Sequence, residues 1–274
     1  MRPLLCTVLV GLSAAQCQAD EGFFSDNPPP ALRAIWPSVY AFVCEGRKSA
    51  YVATAFLVHK AEKAGNAKRA DYYFVTAGHA IEECKQPRRY LAENINQRRF
   101  ESDGITVARP PQRLSGVKLV QVDDAYDIAV VKVEARATLH IGEPIPADDT
   151  CDRSLGREVY AVGFPGVTKR GSLRLRREEK RWSKGDYVGL GKAEFRGAIS
   201  TYIASSVDSL PGSSGGPVVD EKGTLIGVVS QGAAGEDNKF RYDVDPSNPR
   251  DWQTFLVPCH AVLRLLQRGG LSPH

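Results

Sequence analysis

Ten short apolar runs, each bounded by turn residues, restrict this chain to an all-β architecture. They are "SVYAFVCEG", "ATAFLVHK", "YYFVTAGHA", "GVKLVQVDD", "DIAVVKVEA", "EVYAVGFPG", "AISTYIASS", "GPVVDEKG", "LIGVVSQG" and "QTFLVPC". Each reads as a strand of four to eight residues, enriched in β-branched and aromatic side chains. No long 3.6-residue periodicity competes with them until "PCHAVLRLLQRGG", which opens on a proline and closes on two glycines. That asymmetry predicts a terminal helix over residues 258–268, with Val262, Leu265 and Leu266 as its apolar stripe. The 25 glycines and 17 prolines supply the turns. Many short strands at steady spacing predict barrels or a sandwich, and 274 residues suffice for one large domain or two modest ones.

With 42% hydrophobic and 25% charged residues, disorder is not the main state. A formal charge of +4 favours neither nucleic acid nor a membrane surface as partner. The opening "MRPLLCTVLVGLSAAQCQAD" places Arg2 before an apolar core at residues 4–15, too short to span a bilayer. Small residues then lead to Ala19, which predicts a secretory signal over residues 1–19, cleaved before Asp20. The expected product is secreted or periplasmic and carries no membrane attachment after signal removal. Cys6 and Cys17 leave with the signal, so Cys44, Cys84, Cys151 and Cys259 remain. Four cysteines in an oxidising compartment predict two disulfides, with three pairings open. No two lie within CxxC-like reach, so no zinc site is expected, and no other metal or cofactor.

A proline-rich lead-in, residues 20–37, is expected to lie over the surface. A second segment, "VTKRGSLRLRREEKRWSKGDYVGLGKAEFRG" at residues 167–197, breaks the strand pattern. Its part at 167–184 carries eight basic and two acidic side chains. It reads as a long solvated loop, or as a docking patch for an acidic partner or anionic surface.

The chemistry centres on "DSLPGSSGGPVV", residues 208–219. A serine hydroxyl needs a base to remove its proton in the transition state. The glycines flanking Ser214 allow backbone conformations that aim the amides of Gly212 and Ser214 at one oxyanion. Of five histidines, only His79, in "FVTAGHAIEEC", combines a buried strand with a small-residue turn. Asp127 directly precedes the apolar run 128–131, where a buried carboxylate needs a partner such as an imidazole N–H. Asp123 and Asp124 read as solvated turn residues.

"TAGHA", "DIAV" and "GSSGGP", in that order, resemble the three active-site blocks of the trypsin-like (chymotrypsin-fold) serine peptidases, most closely the bacterial branch. The resemblance covers residues 38–268. It implies two six-stranded antiparallel Greek-key barrels with the active site between them, at about 38–140 and 150–257, followed by the C-terminal helix in a peptidase domain over 38–274. It also implies His79 as general base, Asp127 as its orienter, Ser214 as nucleophile, and the Gly212 and Ser214 amides as oxyanion hole. A protein or peptide is then the substrate.

Departures from the family pattern carry information. Ser213 stands where animal digestive members have an aspartate that binds a freshly cut N-terminus, and no IVGG-like start exists, so that mode of activation is not expected. Between Ser214 and His274 there is room for the last strands and helix but not for a PDZ domain. The residue six before the nucleophile forms the floor of the primary pocket in this family; here it is Asp208, which implies a preference for Arg or Lys. The pocket wall would be Ser230, Gln231 and Gly232. A disulfide beside the catalytic histidine is common in the family, which implies Cys44–Cys84 and leaves Cys151–Cys259.

Two other readings compete. "GSSGG" also fits the G-x-S-x-G elbow of α/β-hydrolases, but Pro217 and two valines follow where that fold needs a helix. A catalytically silent binding protein on the same scaffold would use the basic 167–184 segment, yet no member of the triad is missing.

Overall fold

The computed structural model describes residues 27–45, 50–63, 65–84, 88–93, 99–100, 106–107, 112–148, 151, 155–165, 180–195, 198–232 and 254–271. The signal over 1–19 and most of the basic 167–184 segment lie outside them. The first half holds β1 (Val39–Glu45), β2 (Ala50–Glu62), β3 (Arg69–Ala77), β4 (Arg88–Ala92), β5 (Arg99–Phe100), β6 (Thr106–Val107), β7 (Arg113–Ser115), β8 (Lys118–Asp123) and β9 (Ile128–Arg136). The second holds β10 (Glu158–Gly163), β11 (Arg181–Phe195), β12 (Ala198–Ser205), β13 (Pro217–Val219), β14 (Leu225–Gly232) and β15 (Thr254–Pro258).

Seven strands of the first half form one antiparallel sheet in the order β7-β4-β1-β2-β3-β9-β8, with β5 and β6 as a separate ribbon. Its two edge strands, β7 and β8, are consecutive in sequence and joined only by Gly116 and Val117. A link of two residues spans only about 10 Å, so the sheet has to curl until its edges stand side by side. Gly116, at φ +77°, makes the reversal that an L side chain resists. Counted as one bent strand, β7 and β8 make this half six-stranded. The second half is a closed six-stranded barrel, β10-β11-β12-β15-β14-β13. The chain is thus the expected pair of antiparallel barrel-like halves.

Strand alternation sorts the side chains into three cores. On β1, Tyr40, Phe42 and Cys44 fill the interior of the first half, together with Tyr72 and Phe74 of β3 and Val131 and Val133 of β9. Val159, Ala161, Ile203, Val218, Ile226 and Leu256 fill the interior of the closed barrel. The opposite faces, with Val39, Val43, Val75, Ile128 and Val130, join Val219, Val228 and Val257 from the second half in a seam. Burial on both faces explains why the strands read as nearly continuous apolar runs instead of clean alternation.

The terminal helix, Cys259–Arg268, seals this seam with Val262, Leu263, Leu265 and Leu266. Each such side chain, fully buried, is worth about 1.5–3 kcal/mol. Its amphipathic stripe and its Gly269 end match the sequence pattern. The lead-in differs from expectation. Residues Pro30–Ile35 form a helical turn that buries Leu32 and Ile35 in the same seam. A proline at its start sets the helical φ, and the apolar residues at i and i+3 share one face.

Two disulfides pin the halves. Cys44–Cys84, with Cα atoms 5.5 Å apart, ties β1 to the end of the short helix Gly78–Glu83. Cys151–Cys259, at 5.9 Å, ties the segment between the halves to the start of the terminal helix. Among the described residues, no helix is long and apolar enough to cross a membrane.

Candidate active site

β3 and β9 pair in register to their ends, with Ala77 opposite Ile128. The residues just beyond, Gly78 and His79 on one strand and Asp127 on the other, are therefore neighbours by construction. Asp127 sits at φ +53°, a left-handed conformation uncommon outside glycine. Its carbonyl accepts the Gly78 amide at 2.8 Å. Its carboxylate turns to the histidine: Oδ1 accepts the His79 backbone N–H at 2.7 Å and Oδ2 lies 2.7 Å from Nδ1. The Ser230 hydroxyl donates to Oδ2 as well, at 2.8 Å. Three donors offset the cost of a carboxylate whose side chain is 0% exposed, while His79 keeps 18% of its side chain open to solvent. Gly78 packs closely on this carboxylate, since a Cβ there would stand a tight 3.2 Å from Asp127 Oδ1.

Two tyrosines surround this pair. Burial first, then the charges of Glu83 and Asp127, holds the Tyr51 phenol well above its usual range. Burial, then the Asp127 charge, does the same to Tyr202, whose hydroxyl donates to the Ala125 carbonyl at 3.4 Å. Both phenols therefore stay neutral beside the Asp127 carboxylate.

The Ser214 loop is fixed almost peptide by peptide. Ser213 N–H donates to Leu210 O at 2.8 Å, and Gly216 N–H donates to Ser213 O at 2.9 Å. Thr54 N–H donates to Ser214 O at 2.8 Å, and Gly215 N–H to Val229 O at 2.6 Å. The Thr54 hydroxyl donates to Gly212 O at 2.7 Å. Among the described residues, the amides of Gly212 and Ser214 donate to no protein group. Gly212 and Gly215 hold φ of +102° and +84°. A Cβ on Gly215 would lie 2.2 Å from Thr54 O and 2.6 Å from Ala77 N. The loop is thereby packed directly on the end of β3, two residues before His79, and Ser214 stays half-buried.

The expected pocket residues are placed less uniformly. Asp208 is held by its backbone, its carbonyl accepting the Ser183 hydroxyl at 3.0 Å, while its side chain reaches solvent. Desolvation by the surrounding protein still raises its carboxyl above the usual carboxylate range. Gln231 and Gly232 end β14, opposite Phe255 and Thr254 of β15. Ser230 lies at the irregularity between Val229 and Gln231, and its hydroxyl donates to Asp127. Sequence reading missed this contact and the Thr54 bonds. Among the described residues, no group of three or more His, Cys, Asp or Glu is disposed to hold a metal ion.

Comparison with known proteins agrees with this geometry. The chain is 29% identical over 144 residues to Protease Do-like 1, chloroplastic, from Arabidopsis thaliana, across 51% of this chain and 30% of that protein. It therefore spans less than a third of that relative's length. A family model described as the trypsin-like peptidase domain matches residues 53–228, which contain His79, Asp127 and Ser214. That match covers more than half of the chain, and the chain belongs to the trypsin-like peptidase domain family.

Proposed function

We propose that the chain is a serine endopeptidase that cuts peptide bonds through His79, Asp127 and Ser214. The observation that carries this reading is the buried Asp127 carboxylate, which holds both the backbone and Nδ1 of His79 beside a loop with two unpaired amides. A carboxylate only accepts, so Nδ1 carries the proton and Nε2 keeps its lone pair. His79 Nε2 takes the Ser214 proton as Oγ attacks the substrate carbonyl carbon. The Gly212 and Ser214 amides receive the resulting oxyanion. The C–N bond then breaks, His79 protonates the leaving amine, and water releases the acyl group by the same steps in reverse. Ser213 supports activity without a new N-terminus. It is buried, its hydroxyl accepts the Leu210 amide at 3.2 Å, and it offers no charge to an ammonium group. Labelling by a fluorophosphonate, lost in Ser214→Ala, tests the reading; a folded wild type that resists the label refutes it.

The same proposal assigns Asp208 to substrate selection, with Arg or Lys preferred before the scissile bond. Its raised carboxyl sets the sign of a pH effect. Acidification neutralises it at a higher pH than an ordinary carboxylate, so KM for an Arg peptide should rise there while KM for a Phe peptide does not. Equal rates for Arg, Phe and Glu peptides would remove Asp208 from the pocket. Two disulfides suit an oxidising compartment. We place the protein outside the cytoplasm, and N-terminal sequencing of the exported chain should begin at Asp20.

A further inference from the structure

We propose that Thr54 is a positioning residue that sets the oxyanion-binding amides, a role that rests on the serine-peptidase reading. Thr54 lies within β2, is fully buried, and belongs to the first half of the molecule. Its polar groups make four bonds. The N–H donates to Ser214 O at 2.8 Å, and the carbonyl accepts the Thr76 hydroxyl at 2.7 Å. The hydroxyl accepts the Phe164 N–H at 3.0 Å and lies 2.7 Å from Gly212 O. An amide N–H only donates, so the single hydroxyl proton is directed at Gly212 O.

The position is built around this hydroxyl. A Cβ on Gly163 would come 2.9 Å from Thr54 Oγ1, and one on Gly216 would come 3.5 Å from Cγ2. Gly163 of β10 thus leaves space for the threonine hydroxyl, while Gly216, just before β13, lies at ordinary contact distance from its methyl. Phe164 directly follows β10, so one hydroxyl joins the first half, the second barrel and the nucleophile loop.

Gly212 makes that tie consequential. Having no Cβ, it is free to rotate the peptides on either side, and its own N–H is one of the two unpaired amides. The peptide between Gly212 and Ser213 is pinned at both ends, its carbonyl by Thr54 Oγ1 and its N–H by Leu210 O. Fixing that plane fixes the direction from which the Gly212 and Ser214 amides emerge. Without the hydroxyl, the carbonyl end is released and Phe164 N–H is left buried without a partner.

Thr54→Val keeps the shape and both backbone bonds while removing the hydroxyl. Loss of a whole oxyanion donor costs about 10²–10³ in kcat, so a loosened one should cost about 10–100-fold. KM for a peptide should change by no more than about twofold, as ground-state binding does not use these amides. Affinity for a peptidyl boronate, whose tetrahedral adduct does use them, should fall with kcat, and Thr54→Ser should restore both. If the valine variant does not fold, Thr54→Ala serves as the second probe with the same expected loss. A folded Thr54→Val or Thr54→Ala variant with wild-type kcat overturns the proposal, as does a fall in Tm alone or an equal loss in Thr54→Ser. Absence of fluorophosphonate labelling in the wild type would overturn the peptidase reading itself. Labelled wild type with an unimpaired Thr54→Val would overturn only the role of Thr54.

Discussion

Ser214→Ala is expected to lower kcat by about 10⁶, His79→Ala by a similar factor, and the double variant by no more than either. That factor corresponds to about 8 kcal/mol of transition-state stabilisation. The two side chains act as one device: without Oγ the base has no proton to take, and without the imidazole the Oγ proton has no acceptor. Removing the second partner after the first therefore removes nothing further. The fold should survive, because Ser214 meets Thr54 through its backbone carbonyl and Gly215 meets Val229 through its amide, and neither bond uses Oγ. The Gly212 and Ser214 amides also remain, so a residual rate about 10³–10⁴ above the uncatalysed one should persist. Steady-state hydrolysis of a peptide amide by the three variants, with thermal melts as controls, measures this. A double variant as slow as the product of the two single losses would show that His79 and Ser214 do not work together.

The three candidate residues His79, Asp127 and Ser214 were legible in the sequence because each sits at a recognisable junction between a strand and a turn. "TAGHA" ends a strand, "DIAV" begins one, and "GSSGGP" makes the turn before a third. Antiparallel pairing of β3 with β9 then brings the first two together without further information. The bonds that hold Asp127 and the Ser214 loop in place were not legible. Ser230 reaches Asp127 across 103 residues, and Thr54 reaches Gly212 across 158. A serine or threonine in a strand carries no local mark of such a partner, since β-branched or small residues fit a pleated surface anyway. The lead-in misled for a related reason. Its prolines suggested surface, but Leu32 and Ile35 found an apolar seam that exists only once two halves and a terminal helix are assembled. Gly116 shows the limit on strand counting: the run read from Gly116 onward gave β8 alone, while β7 just before it lies at the other sheet edge, across a left-handed residue.

Asp127→Asn is expected to lower kcat by about 10⁴ near neutral pH while leaving the fold intact. Asparagine is the informative substitution, since it tolerates the left-handed backbone at φ +53° that alanine would strain. The carboxylate now accepts from three donors, His79 N–H, His79 Nδ1–H and Ser230 O–H. A carboxamide replaces one acceptor with a donor. With its oxygen kept on the His79 backbone amide, the NH₂ group faces Nδ1, and the imidazole must move its proton to Nε2. That nitrogen then has no lone pair for the Ser214 proton, so the base is lost although every atom is close to its former position. With the amide flipped, NH₂ instead opposes the buried His79 N–H, a donor facing a donor, which costs about 1–3 kcal/mol and is the less favourable choice. The loss should fall on kcat with little change in KM, because Asp127 is buried and touches no substrate. A folded variant within tenfold of the wild-type kcat would mean that His79 keeps its working tautomer without Asp127. The three short bonds to the carboxylate would then be structural alone.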